Sequence, residues 1–93
     1  MKITIVGGGS TYTPEFVNGL LARYEMLGVD ELCLMDIAQD RLEIVGGFAK
    51  RMAAAAGDPF RVTTTSDLRA AIADAQYVVT QIRVGGHGGP SRR

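Results

Sequence analysis

Three consecutive glycines, Gly7-Gly8-Gly9, are followed by two hydroxyl residues, Ser10-Thr11. The run Lys2 to Val6 before them reads as a strand, and Thr13-Pro14-Glu15 after them reads as a helix start. A glycine turn in that setting offers backbone N–H groups and a positive helix end to an anion, so the chemistry it suggests is phosphate binding. Gly7-x-Gly9 is the first part of the dinucleotide fingerprint, but the third glycine would fall at position 12, which is Tyr12. Ser10 and Thr11 supply hydroxyl donors in compensation. The second chemical element is Asp36, at the end of a second strand and 27 residues beyond Gly9, against the usual spacing of about 20. A carboxylate there accepts hydrogen bonds from both ribose hydroxyls and repels a 2′-phosphate, which favours NAD over NADP. Arg41, close by, points the other way. A simpler alternative is a glycine turn plus an Asp that only caps the next helix.

These residues need a scaffold, and the periodicity supplies one. The apolar positions Phe16, Val17, Leu20, Leu21, Tyr24 and Leu27 recur at helical steps, and Gly28 is placed to end that helix. Thr13 is expected as its N-cap and Pro14 as its first residue. Glu31 to Asp36 is nearly continuously apolar, the look of a strand buried on both faces. Gln39 to Ala56 reads as a second helix with Leu42, Val45, Phe48, Ala49, Met52 and Ala56 inward, although Gly46-Gly47 weaken the pattern. Phe60 to Thr64 is a third strand, Ser66-Asp67 open a short helix, and Gln76 to Ile82 is a fourth strand. Alternating strands and helices imply an α/β fold with right-handed crossovers. The expected architecture is a parallel Rossmann-like sheet: a first mononucleotide-binding half plus a fourth strand, spanning residues 1–86. Tyr77 to Ile82 would then be an apolar sheet edge, prone to pairing with another chain.

Composition narrows the class. Ten basic and ten acidic residues balance in a chain of 93. Nucleic acid and anionic membranes select for basic excess, so neither is expected as a partner. No apolar run approaches the ~20 residues of a membrane span, and the N-terminus lacks a signal-peptide core. One cysteine, Cys33, fits a reducing compartment, and a cytoplasmic location is expected. Cys33 reads as a buried small hydrophobe, His87 as a solvated lone histidine, and Met26, Met35 and Met52 as packing residues. No catalytic or metal-binding residue is expected among them. Arg83 ends the fourth strand, where it could face a ligand crevice or pair a surface carboxylate.

The run from Val6 through Glu15, with its Ser-Thr-Tyr-Thr-Pro-Glu segment, resembles the N-terminus of glycoside hydrolase family 4. The likeness continues through Asp30-Glu31-Leu32, Leu34 to Ile37 and Arg41. It resumes at Thr65-x-Asp67, at Ala75 to Val79 and at Gln81 to Gly86. Within the family, the 6-phospho-β-glucosidase branch is the most similar. The resemblance implies an NAD- and manganese-dependent glycosidase, an exception to the two-carboxylate scheme. Its chemistry runs by oxidation at carbon 3 of the sugar, removal of the carbon 2 proton by a tyrosine base with help from the metal, elimination, water addition and return of the hydride. The implied substrate is a phosphorylated disaccharide, and the complete protein is expected as a homo-oligomer. By the resemblance, Gly7, Gly8, Gly9, Ser10 and Thr11 hold the pyrophosphate, Asp36 with Arg41 beside it meets the adenosine ribose, and Arg83 lies near the nicotinamide. The family's metal ligands, tyrosine base and substrate domain match no residue here. From His87 onward the likeness stops, and 87–93 is expected as a divergent, disordered tail, produced either by a frame shift or by truncation. The isolated chain is therefore expected to be inactive and to bind NAD weakly. The alternatives are a fragment of an NAD-dependent dehydrogenase and a non-catalytic dinucleotide-binding module.

Overall fold

The computed structural model describes residues 1–9 and 12–80. The elements run β1 (Lys2–Val6), α1 (Thr13–Leu27), β2 (Glu31–Met35), α2 (Gln39–Ala55), β3 (Arg61–Thr65), α3 (Leu68–Ile72) and β4 (Tyr77–Thr80). All strand pairs are parallel, in the order β3-β2-β1-β4. Ile5 lies beside Leu34 on one side and Val79 on the other, which sets the register across three strands. The chain thus turns outward on opposite sides of β1. The strand order therefore reverses between β1 and β4, and ligands of open α/β sheets bind outside the carboxyl ends of the strands at such a point. At that end β1 and β2 also finish side by side.

The two faces of the sheet differ. Ile3, Ile5, Leu32, Leu34 and Val62 pack with Val17 and Leu20 of α1 and Leu42, Ala49 and Ala53 of α2 into the main core. The other face holds a smaller cluster of Cys33, Met35 and Ala71, with Val6 against it. The buried Thr4 hydroxyl donates to the Ala71 carbonyl there. Lys2 Nζ donates to the carbonyls of Ala70 (3.2 Å) and Ala73 (2.8 Å) at the C-terminal end of α3. Asp67 caps the start of α3 by accepting from the Arg69 N–H at 3.0 Å.

Helix α1 begins one residue earlier than its sequence suggests. Its cap position is Tyr12 with no side-chain capping bond, and Pro14 stands in the first turn. Thr13 is already helical, and its hydroxyl donates to the Gly8 carbonyl at 3.0 Å. Gly28 ends the helix at φ 69°, a left-handed conformation that costs glycine nothing. Leu27 and Met26 point to solvent, since the helix turns its buried stripe through Val17 and Leu20.

Helix α2 buries Leu42, Gly46, Ala49 and Ala53, not the stripe through Phe48 and Ala56. Gly46 is the reason. A Cβ there would lie 2.7 Å from Thr64 Cγ2, so the glycine lets α2 settle onto β3. The face opposite this stripe carries Ile44 and Phe48, both exposed.

On the smaller-cluster face, Glu31 accepts from Thr63 Oγ1 at 2.8 Å and pairs with Arg61 at 3.2 Å. Partial burial pushes its pKa up. The bonds from Thr63 and Arg61, with the charges of Lys2 and Arg61, outweigh that and hold the carboxyl below its ordinary value. A group whose folded pKa is depressed stabilises above its unfolded pKa and loses that contribution as pH falls through the folded one. Glu31→Gln should therefore lower stability at neutral pH by up to about 1 kcal/mol. The difference from the parent should vanish in acid, below the ordinary carboxylate range near about pH 4. Thermal melts at both pH values check this.

Gly46→Ala should cost about 1 kcal/mol, because overpacking exceeds the gain in helix propensity. Adding Thr64→Ala, which removes the clashing methyl, should abolish that loss. Gly47→Ala, whose Cβ would meet only Arg51 Nη1 at 3.5 Å, should instead stabilise by up to about 1 kcal/mol. Denaturant titrations of the variants at low protein concentration measure all three effects.

Candidate dinucleotide site

The site lies where the β1–α1 turn meets the end of β2. Gly7 takes φ 87° and redirects the chain out of the sheet. The N–H groups of Gly7 and Gly8 both donate to the Met35 carbonyl at 2.8 Å. Gly8 then runs so close over β2 that a Cβ would sit 2.7 Å from Leu34 Cβ and 3.2 Å from the Met35 amide nitrogen. The Thr13 hydroxyl braces the turn from the helix side through the Gly8 carbonyl.

Gly9 comes next, and its N–H donates to Asp36 Oδ2 at 2.9 Å. The other oxygen, Oδ1, accepts from the Ala38 N–H at 3.0 Å. Asp36 is half-buried, and its own N–H reaches the Thr65 carbonyl at 3.3 Å. The carboxylate is thus held by one backbone donor from the glycine turn and one from the entry to α2. A carboxylate has about four acceptor sites, so two acceptor positions remain beyond these two bonds. That is the number two vicinal hydroxyls require. A Cβ on Gly9 would fall 2.8 Å from Asp36 Oδ2 and 3.0 Å from Arg41 Cβ. Glycine is what allows the turn, the carboxylate and the Arg41 stem to converge.

The structure brings Gly7, Gly8, Gly9, Asp36 and Arg41 together. Ser10, Thr11 and Arg83 lie outside the described residues. The N–H groups of the three glycines face β2 and Asp36. The remaining anion-attracting feature is the N-terminal turn of α1, fifteen residues long. The capping role of Asp36 and its role at a site are not exclusive, since the side chain does the first through Ala38 and reaches the glycine turn through Gly9. Tyr12, in place of the third glycine, is 69% exposed at φ −82°. The exposed position thus accommodates a side chain. The close packing falls instead to Gly8, which the two-glycine pattern treats as a free position. Its signal was the unbroken run of three glycines.

Cys33 is a free cysteine buried in β2. Among the described residues no three His, Cys, Asp or Glu side chains cluster as metal ligands. No helix among them is long and apolar enough to cross a membrane.

A glycine turn closing onto an acid at the end of β2, in a parallel sheet of this order, defines a Rossmann-like mononucleotide-binding half. The chain belongs to family 4 of the glycosyl hydrolases, whose pattern matches residues 2–92. A Bacillus subtilis protein named "Probable 6-phospho-beta-glucosidase" is 51% identical over 87 residues, covering 91% of this chain and 20% of that protein. The 6-phospho-β-glucosidase of Escherichia coli is 42% identical over 87 residues, covering 91% and 19%. The 6-phospho-β-glucosidase of Thermotoga maritima, solved with NAD and glucose-6-phosphate, superposes with a TM-score of 0.83 at 41% identity, covering 91% of this chain and 20% of that one. The chain spans about a fifth of the length of the relatives it matches.

Gly8→Ala should be the most damaging change in the turn. Its Cβ meets backbone of β2 that cannot move aside, and a loss of about 1–3 kcal/mol is expected. Gly9→Ala meets side-chain atoms of Asp36 and Arg41 rather than strand backbone and should cost less. Chemical denaturation of both variants tests the order, and a Gly9 variant less stable than the Gly8 variant would contradict it.

Proposed function

We propose that this chain is the NAD-binding portion of a 6-phospho-β-glucosidase. The observation that carries the reading is the Asp36 carboxylate, oriented by Gly9 and Ala38 with acceptor capacity left over. The adenosine ribose of NAD fits that capacity through its two hydroxyls. A 2′-phosphate would bring a second anion against the carboxylate, so NAD is preferred over NADP. The pyrophosphate belongs over the first turn of α1, whose dipole attracts anions. Bound NAD supplies a hydride acceptor and, later, a hydride donor. The residues described here bind and orient it.

The β-glucosidase branch is favoured over the α branch by identity. Relatives named for 6-phospho-β-glucosides reach 42–51%. Those named for α-linked phosphoglucosides lie at 30–37%. The substrate of the whole protein is, in this reading, a phosphorylated β-glucoside, with glucose-6-phosphate as the glycone it shares with its solved relatives. The divalent metal and the catalytic base belong to parts of the protein beyond the described residues. A phosphorylated sugar substrate and a buried reduced cysteine are both consistent with a cytoplasmic site of action.

Calorimetric titration of the chain with NAD and NADP tests the proposal. NAD should bind more tightly, by about tenfold or more. Asp36→Ala should weaken NAD binding by roughly 10–100-fold, the range expected for hydrogen bonds to a charged group. It should leave NADP binding nearly unchanged. Equal binding of NAD by the parent and the Asp36 variant would overturn the assignment.

A further inference from the structure

Arg41 is a cation that no other described residue holds. It is exposed in the first turn of α2, and its stem converges with Asp36 on Gly9. Among the described residues it makes no hydrogen bond or ion pair. Its helical neighbours three and four residues away, Ile37, Ala38, Ile44 and Val45, include no acid. Arg61, by contrast, has Glu31 at 3.2 Å. Asp36 takes its bonds from the backbone N–H groups of Gly9 and Ala38 and not from the guanidinium. The helix gives no support either, since its start is the positive end and disfavours a cation there. An arginine kept in that position has its reason in something negative that arrives from outside.

The place where its stem rises narrows what that is. A Cβ on Gly9 would meet Asp36 Oδ2 at 2.8 Å and Arg41 Cβ at 3.0 Å, so the acid and the arginine share one edge of the site. We propose that Arg41 sets how far this site admits a 2′-phosphate on the adenosine ribose: it offsets the repulsion from Asp36, so that the site prefers NAD but accepts NADP. The proposal rests on Asp36 receiving the ribose. A guanidinium is permanently charged, weakly hydrated and forked to match phosphate oxygens. A free 2′-hydroxyl gives it no charge to pair with, because that hydroxyl belongs to the carboxylate. The two residues therefore pull in opposite directions on the same ribose position. The acid selects the hydroxyl, and the arginine tolerates the phosphate. Removing the acid takes away its repulsion and also its bond to the 3′-hydroxyl, so NADP gains and loses at once. Removing the arginine takes away attraction alone.

Calorimetric titration of the full chain with NAD and with NADP at low salt reads this directly. Arg41→Gln keeps most of the stem beside Gly9 and removes the charge. It should weaken NADP binding about tenfold, the loss of one charge-assisted contact, and NAD binding by less than about threefold. The gap between the two dinucleotides should therefore widen. The same loss for NADP should appear when Arg41→Gln is added to Asp36→Ala, because the arginine meets the phosphate and not the acid. Circular dichroism melts of the variants confirm that each is folded. Unchanged NADP binding in a folded Arg41→Gln chain would overturn the proposal. So would equal weakening of NAD and NADP, which would assign Arg41 to a part that both share. A parent chain that binds NAD but shows no NADP binding would overturn it as well. The ribose reading fails separately, by NAD binding that does not respond to Asp36→Ala, and would then take this proposal with it.

Discussion

The close approach of Gly8 to β2 is the constraint on which the site depends. With both glycine N–H groups on the Met35 carbonyl and no room for a Cβ over Leu34, the β1–α1 turn is pinned against the end of the neighbouring strand. Every later feature follows from that. The turn delivers the Gly9 amide to Asp36, and the Thr13 hydroxyl ties the start of α1 to the same turn. The first turn of the helix and the acid at the end of β2 are therefore tied to the same glycine turn. A wider turn would separate the dipole from the carboxylate, and neither alone recognises a dinucleotide.

The asymmetry of the sheet serves the same end. The main core, between the sheet and helices α1 and α2, is built from fully buried aliphatic residues and fixes the strand register. The second face is thinner, and polar contacts carry more of it: the Thr4 hydroxyl, the Lys2 ammonium and the Glu31–Thr63–Arg61 group. Only the short α3 covers that side among the described residues. Leu68, Ile72 and Val78 remain exposed around it. The rigid half of the molecule is the half that positions the turn and Asp36.

Much of this was legible in the sequence because it depends on local pattern. The four strands and three helices follow from apolar runs, from Gly28 as a left-handed stop and from Asp67 as a cap. Asp36 could be chosen because strand, glycine loop, helix, strand and acid come in the order of a dinucleotide site. The errors have specific causes. Thr13 looks like a cap by type, but its hydroxyl is taken by the Gly8 carbonyl, a contact that no local pattern announces. Phe48 looks like core by hydrophobicity. The glycine at position 46 shows why it is not, because α2 rotates to bring that glycine against Thr64 and turns Phe48 outward. Of the two glycines that weakened the helix pattern, Gly46 thus has its reason inside the fold. Gly8 was expected at the pyrophosphate, but its close packing on β2 was hidden because the dinucleotide pattern leaves its position free.

The central claim is that the Gly9–Asp36–Ala38 arrangement receives the ribose of NAD. Nuclear magnetic resonance of the nitrogen-15-labelled chain, titrated with NAD, tests it most directly. The account predicts that the Gly9 and Ala38 amide signals shift together and saturably, because their shared acceptor gains new hydrogen-bond partners. Saturable NAD binding that leaves both amides unmoved would contradict it.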